Sequence, residues 1–78
     1  MAGPQYIDMN EAREVLGAMG VDVSERQIRR AAEPDAQGRR RLPFFIDPIE
    51  GRLKIEKGTL VNIYRMAQAE AEKRIKPS

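Results

Sequence analysis

The stretch SERQIRRAA, residues 24–32, is the part of this sequence that decides the fold prediction. Ser24 followed three residues later by Gln27 is the capping-box pattern of a helix N-terminus. Pro34 requires the helix to end shortly before it, because the residue that precedes a proline is pushed out of the helical region. The sequence therefore predicts a short helix from Ser24 to about Ala32.

This predicted helix has one apolar face and one cationic face. With Ile28 toward the core and about 100° per residue, Arg26 and Arg30 fall within about 20° of the opposite direction. Gln27 and Arg29 then lie at the sides. Because guanidinium and amide groups read the guanine and adenine edges in the major groove, the pattern predicts a DNA-recognition helix.

A first helix is predicted upstream. Asp8 and Glu11 repeat the capping-box spacing, and apolar residues follow at helical intervals. Gly20 favours the left-handed backbone with which helices commonly end. These signals predict a helix from Met9 to Met19, and two short helices joined by a tight connection form the outline of a helix-turn-helix.

The segment after the second helix predicts a loop and then a strand. Residues 34–41 combine turn-forming residues with three consecutive arginines, which is typical of a loop. Residues 42–46 predict a strand, and Pro43 marks it as an edge strand or a strand start. One face of this strand would hold Leu42, Phe44 and Ile46.

A second strand completes a β-hairpin. Residues 52–55 alternate between charged and apolar side chains after a turn rich in proline and glycine. The alternation predicts Leu53 and Ile55 inward and Arg52 and Lys54 outward. The hairpin would then present its cations beside the recognition helix, where they could reach phosphates or the minor groove.

The last predicted element is the longest, a helix from about Lys57 to Ile75. Its apolar stripe comprises Leu60, Ile63, Tyr64, Ala67, Ala71 and Ile75. Residues 68–76 are mostly charged or alanine, so this part is expected to extend into solvent or to contact a partner. We regard residues 1–5 as a flexible tail and residues 68–78 as an extended helix end or tail.

Three aromatic residues invite two interpretations. Phe44, Phe45 and Tyr64 could form a base-stacking platform of the kind found in single-strand binders. A small chain needs its large apolar groups in the core, which favours Phe44 and Tyr64 as core residues. Phe45 faces the other side of the strand, where it would pack under the final helix or at a subunit contact.

The composition bounds the chemistry. A chain of 78 residues allows one small domain, and the absence of cysteine and histidine excludes disulfides, thiolate zinc sites and imidazole catalysis. No motif for a nucleophile, metal or phosphate loop is present, so we predict no enzyme activity, no metal site and no cofactor. No apolar run approaches the roughly 20 residues that span a bilayer, and we expect a cytoplasmic protein with no membrane partner.

Charge is distributed unevenly along the chain. The net charge is +2, but residues 1–23 carry four acidic and one basic side chain, whereas residues 24–54 carry eight basic and five acidic ones. All but one of those eight cations are arginines, whose planar guanidinium binds phosphate and guanine in bidentate fashion. A solvated surface is the alternative interpretation of the same charges.

The order of these motifs resembles the excisionase-like and MerR-like winged helix-turn-helix domains. The counterparts of that family's first helix, its Gly-Val-Ser-x-x-Thr-Ile-Arg-Arg segment and its Gly-x-Leu-Pro strand are residues 9–16, 24–30 and 38–43. The connection at residues 20–24 and the loop at residues 34–41 are longer than the family's. The resemblance implies an α+β, mainly helical fold with two short helices, a β-hairpin wing and a long C-terminal helix.

Function follows as a prediction from the recognition helix and the resemblance together. We expect a sequence-specific double-stranded DNA-binding protein, an excisionase-like recombination directionality factor of a mobile element that binds adjacent sites cooperatively and bends DNA. A small transcriptional regulator is the alternative, and a protein-interaction module using the C-terminal helix is another. Partners would be DNA, further copies of the chain, and a recombinase or RNA polymerase. The predicted DNA contacts are Ser24, Arg26, Gln27, Arg29, Arg30, Arg39, Arg40, Arg41, Arg52 and Lys54.

Overall fold

A computed structural model of the protein describes residues 3–75. The elements are β1 (Tyr6–Ile7), α1 (Met9–Ala18), α2 (Glu25–Ala32), β2 (Phe45–Ile46), β3 (Leu53–Glu56) and α3 (Lys57–Ile75). The strands form an antiparallel sheet in the order β1-β3-β2, and about half of the chain is helical. This confirms the predicted α+β class. The predicted tail residues 76–78 lie outside the described residues.

Both N-terminal helices begin where the capping patterns predict. In α1 the Asp8 carboxylate accepts a hydrogen bond from the Glu11 backbone N–H at 2.8 Å, and the Glu11 side chain accepts one from the Asp8 backbone N–H at 3.1 Å. The helix ends at Ala18, one residue before the predicted end. Gly20 follows with φ +89°, so the left-handed backbone predicted there is confirmed.

Strand β1 was not predicted. Tyr6 pairs with Glu56 and Ile7 with Ile55, and the Lys57 backbone N–H donates to the Gln5 carbonyl at 2.8 Å. Gln5, the last residue of the predicted tail, thus shares a hydrogen bond with the start of α3, and residues 1–2 of that tail lie outside the described residues. A two-residue strand leaves no periodicity in the sequence, and its pairing depends on a strand about 50 residues further along the chain.

The first hairpin strand is shorter than predicted. Only Phe45 and Ile46 pair with β3, because the Phe44 backbone N–H bonds to the Leu42 carbonyl at 2.7 Å and closes a tight turn around Pro43. Around this turn Leu42 and Phe44 are buried and Pro43 between them is exposed. Ile46 is 60% exposed, so its predicted place on the buried face is wrong.

The core lies between the helices and one face of the sheet. Its nine buried side chains are Ile7, Ala12, Leu16, Ile28, Ala32, Leu42, Phe44, Ile55 and Leu60. Phe44 is therefore a core residue as predicted, and Tyr64 packs half-buried against the same cluster. Phe45 lies on the opposite face of the sheet, where its ring meets the Tyr6 ring edge-on with centroids 5.6 Å apart. Its predicted place under the final helix or at a subunit contact stays a prediction.

Helix α3 follows the predicted bounds but packs only along its first half. Leu60 is buried and Ile63 is half-buried, whereas Ala67 and Ala71 are exposed. Every side chain from residue 65 to residue 74 is exposed. Residues 68–74 therefore extend into solvent as predicted, and the side chain of Ile75, the last member of the predicted apolar stripe, lies outside the described residues.

Candidate nucleic-acid interface

The outward face of α2 carries two arginines without an internal partner. Ile28 and Ala32 are buried against the core, which directs Arg26 and Arg30 to the opposite side of the helix. Both arginines are exposed, and neither forms an ion pair or side-chain hydrogen bond within residues 3–75. They lie one helical turn apart, so their guanidinium groups extend from adjacent positions on one face.

Two of the predicted contact residues form the capping box at the N-terminus of α2. The Ser24 hydroxyl accepts from the Gln27 backbone N–H at 3.1 Å, and the Gln27 side-chain oxygen accepts from the Ser24 backbone N–H at 2.8 Å. Gln27 therefore presents its amide NH₂ as a donor while its oxygen is already bound. The amide oxygen has a second lone pair, so Gln27 can bind adenine in bidentate fashion in the orientation that the capping box fixes.

Arg29 is held by a weak internal partner. Its guanidinium lies 3.5 Å from the Glu25 carboxylate, and both side chains are about 60% exposed. An exposed pair of this kind contributes about 1 kcal/mol or less, so a phosphate can displace the carboxylate. The spacing of four residues between Glu25 and Arg29 already signals this pair in the sequence.

A groove lies on each side of α2, and each contains one arginine from outside the helix. The first groove, of about 480 Å³, brings Arg29 together with Arg52 of the hairpin. The second, of about 190 Å³, brings Gln27 together with Arg41 and the apolar side of Tyr64. The structure thus assembles cations from three separate segments of the chain around one helix.

Two carboxylates share the first groove. Asp8 and Glu25 line it together with Arg29 and Arg52. Asp8 is already bound as the N-cap of α1, and Glu25 pairs with Arg29. The groove beside the hairpin is therefore less cationic than the outward face of the helix.

The loop before β2 is ordered by an aspartate. The Asp35 side chain accepts hydrogen bonds from the backbone N–H groups of Gln37 and Arg39, both at 2.9 Å, and its backbone N–H donates to the Arg39 carbonyl at 2.7 Å. These bonds close a tight turn in which Gly38 adopts φ +78°. The loop therefore presents the residues that follow it at defined positions.

The three loop arginines do not share one role. Arg40 is half-buried and donates from its guanidinium to the Phe44 carbonyl at 2.7 Å, which fixes the tight turn leading into β2. Arg39 and Arg41 are exposed on either side of it. Arg40 therefore supports the fold, whereas its two neighbours present their cations to solvent.

The hairpin offers one exposed cation instead of two. Arg52 is exposed, but Lys54 is half-buried and its ammonium lies 3.0 Å from the Glu50 carboxylate. The hydrogen bond to Glu50 raises the pKa of Lys54 above its ordinary value. Both cations lie on the outer face as predicted, because Lys54 pairs across the sheet with Phe45, but the charge of Lys54 is already bound by Glu50.

One arginine that sequence reasoning missed positions the interface. The Arg13 guanidinium Nε donates to the Val23 carbonyl at 3.2 Å and so ties α1 to the connection just before α2. Its partner is a backbone carbonyl ten residues away, and no residue pattern signals such a bond.

Two further findings concern the described part of the chain. Within residues 3–75, no group of three or more acidic side chains is placed to hold a metal ion. No helix in the same range combines the length and apolar character needed to cross a membrane.

Comparison with known proteins finds no match: no family, no curated protein and no solved structure corresponds to this chain. Any assignment of function depends on the chemistry of its own residues.

Proposed function

We propose that this chain is a sequence-specific double-stranded DNA-binding protein of the winged helix-turn-helix type. In this proposal α2 enters the major groove and the β2–β3 hairpin acts as the wing. The observation that carries it is the cationic surface around α2, called here the α2 surface. Its members are Arg26, Gln27, Arg29, Arg30, Arg41 and Arg52.

The arrangement of the α2 surface supports helix insertion into a groove. Arg26 and Arg30 point directly away from the core, and the remaining members flank them on both sides. The two central guanidiniums can reach base edges at the floor of the major groove, where arginine binds guanine O6 and N7 in bidentate fashion. The flanking cations can reach the phosphates along the two walls, which fixes the register of the helix.

The specific role we propose is that of an excisionase-like recombination directionality factor of a mobile element. Its support is the resemblance of the motif order, together with the size of the surface. A single recognition helix of this kind covers about 600–1,000 Å² of DNA, so useful specificity requires copies bound at adjacent sites. A small transcriptional regulator would use the same surface, and the spacing of its sites would differ.

A second candidate function rests on a separate observation. Helix α3 extends from the body of the protein with every side chain from residue 65 to residue 74 exposed. A protein-interaction module would use this helix, and its arginines would serve only solubility. Binding through such a helix is nearly insensitive to salt, whereas each neutralised phosphate on duplex DNA contributes about −0.9 to the log–log salt slope.

The test is selection of short duplexes from a random library by the purified chain at two salt concentrations, with Arg26→Ala/Arg30→Ala beside the wild type. We expect a repeated motif that the variant fails to select. Because the proposal places these two arginines on base edges and the flanking cations on phosphates, the variant should lose the motif while its salt slope changes little. Arg65→Ala/Arg74→Ala is the matched control, because it removes two exposed arginines from α3.

The outcomes separate the candidates. A regular spacing of selected motifs in one orientation supports cooperative excisionase-like binding, whereas inverted pairs support a dimeric regulator. Equal losses of DNA affinity in the two double variants would mean that only the total charge of the protein matters. That result would overturn the assignment of DNA recognition to α2. Salt-insensitive capture of a protein with no DNA binding would favour the interaction module.

A further inference from the structure

The edge of the sheet formed by β1 has unused hydrogen-bonding groups. Lys57 and Gln5 form a hydrogen-bonded pair at 2.8 Å, so antiparallel alternation makes Tyr6 and Glu56 a non-hydrogen-bonded pair. The backbone N–H and C=O of Tyr6 therefore point away from β3, toward the side of the sheet where no described strand lies. A peptide in extended conformation could pair with them.

A groove of about 470 Å³ runs along this edge. One wall is β1, and the other is a single face of α1 on which Glu11, Glu14, Val15 and Ala18 recur at helical spacing. A strand edge on one side and a helix face on the other is the arrangement by which proteins bind peptides through strand addition.

The groove has a charge preference. Glu14 is exposed and has no hydrogen bond or ion pair within residues 3–75, while Glu11 has one oxygen engaged in the capping box of α1. Lys57 is the sole cationic side chain among the described residues that line the groove. The surrounding residues 1–23 carry four acidic and one basic side chain, so a basic occupant complements this wall and a nucleic acid is repelled by it.

We propose that this groove binds an extended peptide of alternating basic and apolar residues as an additional strand beside β1. Side chains of an extended peptide alternate between its two faces. The basic ones face α1, where Glu14 receives the charge and Val15 and Ala18 contact the aliphatic stem. The apolar ones lie beside the Tyr6 ring, which is 56% exposed on the outer face of the sheet.

A second copy of the chain is a poor occupant. Its own β1 brings residues 3–8, in which Asp8 is the sole charged side chain, so it offers no cation for Glu14. Pro4 also removes one backbone donor just before the strand. The proposal is independent of DNA binding, because the groove uses none of the residues of the α2 surface.

The experiment is a titration of the ¹⁵N-labelled full chain with a short synthetic peptide that alternates valine with lysine and arginine. We expect amide shifts confined to β1 and the Glu11–Ala18 face of α1, and slowed hydrogen exchange of the Tyr6 amide. Glu14→Lys should weaken binding about threefold or more, because an exposed ion pair is replaced by repulsion. Glu72→Lys, the same reversal at an exposed position on α3, should leave it unchanged.

Two control peptides keep the proposal falsifiable. A peptide with glutamate at every basic position should not bind, and equal binding would overturn the charge argument. A peptide with two central prolines cannot donate main-chain hydrogen bonds there, so its equal binding would overturn strand addition. Shifts of the β1 amides with protein concentration alone, or with duplex DNA instead of peptide, would assign the groove to a second copy or to nucleic acid and also overturn the proposal.

Discussion

Helix α2 and the β2–β3 hairpin carry the same kinds of charged residues, yet they present them in opposite ways. On α2, Arg26 and Arg30 face solvent with no internal partner among the described residues. On the hairpin, the ammonium of Lys54 is bound by Glu50 at 3.0 Å and only Arg52 is left exposed. A cation is most available to a binding surface where the fold leaves it unpaired.

The difference arises from what the carboxylates do. The hairpin uses each of its carboxylates internally: Asp47 accepts from the Ile49 backbone N–H at 2.9 Å, Glu50 binds Lys54, and Glu56 accepts from backbone N–H groups at the start of α3. Glu25, in the first turn of α2, reaches one arginine alone. The carboxylates of the hairpin therefore stabilise its turn and its junction with α3. On α2, most of the arginines remain available to bind a partner.

The largest effect that we expect is on the free energy of unfolding, because α2 is anchored in the core and the tip of the hairpin is not. Ile28 is 2% exposed beneath α2, whereas Ile49 at the hairpin tip is 92% exposed. Ile28→Ala should lower the free energy of unfolding by about 2–5 kcal/mol, because it removes buried apolar surface and leaves a cavity. Ile49→Ala should change it by no more than about 0.5 kcal/mol. Urea titration measures both, and comparable losses would contradict the burial of α2.

The next largest effect that we expect is on DNA affinity, and it compares an unpaired cation of α2 with a paired cation of the hairpin. Arg30→Ala should weaken duplex DNA binding about tenfold, within the range of about 1–3 kcal/mol expected for a lost base contact. Lys54→Ala removes the same charge from a side chain that already has a partner, and we expect a change of about threefold or less. Fluorescence anisotropy with one duplex at constant salt gives both values. A larger loss for Lys54→Ala would reverse the ranking of helix and hairpin.

The comparison also marks how far the sequence alone could predict the site. The cationic face of α2 follows from Ile28 and a capping box, which are local signals, and the structure contains that face as predicted. The pairing of Lys54 with Glu50 was not foreseeable, because four-residue spacing brings side chains together on a helix, whereas these two residues lie in a turn and a strand. The role of Arg40 was not foreseeable either, because its partner is the backbone carbonyl of Phe44 in a tight turn that no periodicity reveals.

The fold likewise contains features that local sequence signals predict and features that they do not. The bounds of α3 were predicted because a helix of that length shows a helical period in its sequence. The starts of α1 and α2 were predicted because each capping residue lies within a few residues of the backbone groups that it binds. Strand β1 was missed because its two residues form a strand only when β3 supplies the partner. Local interactions are readable from the sequence, whereas pairings between distant segments need the assembled structure.

A smaller effect should follow from releasing the hairpin's paired cation. Glu50→Gln removes the partner of Lys54 and adds one net positive charge beside Arg52. We expect duplex binding to tighten about twofold to fivefold at low salt, with the gain fading as salt screens it. Glu70→Gln is the matched control, because it similarly releases Arg74 on α3, away from the α2 surface. An equal gain in both variants would mean that the hairpin does not approach DNA.

The smallest effect concerns the third engaged carboxylate of the hairpin, Glu56. Hydrogen bonds from the backbone N–H groups of Gly58 and Thr59 hold the pKa of Glu56 below its ordinary value of 4.5. A carboxylate with a lowered folded-state pKa stabilises the protein fully above that ordinary value, and the contribution is lost as the pH falls through the lower folded-state pKa. Acid should therefore weaken the junction between β3 and α3.

Urea midpoints of the wild type and Glu56→Gln, measured from pH 7 down to about pH 3, test this sign. The wild type should be more stable at pH 7, and the gap should narrow in acid because protonation leaves its Glu56 as neutral as the glutamine. Glu72→Gln, in the exposed half of α3, should differ less from the wild type in its urea midpoint at every pH. A gap for Glu56→Gln that stays constant, or widens in acid, would mean that the charge of Glu56 contributes nothing to the helix start. The hairpin would then have one carboxylate whose charge is not used internally, and its contrast with α2 would be weaker by that residue.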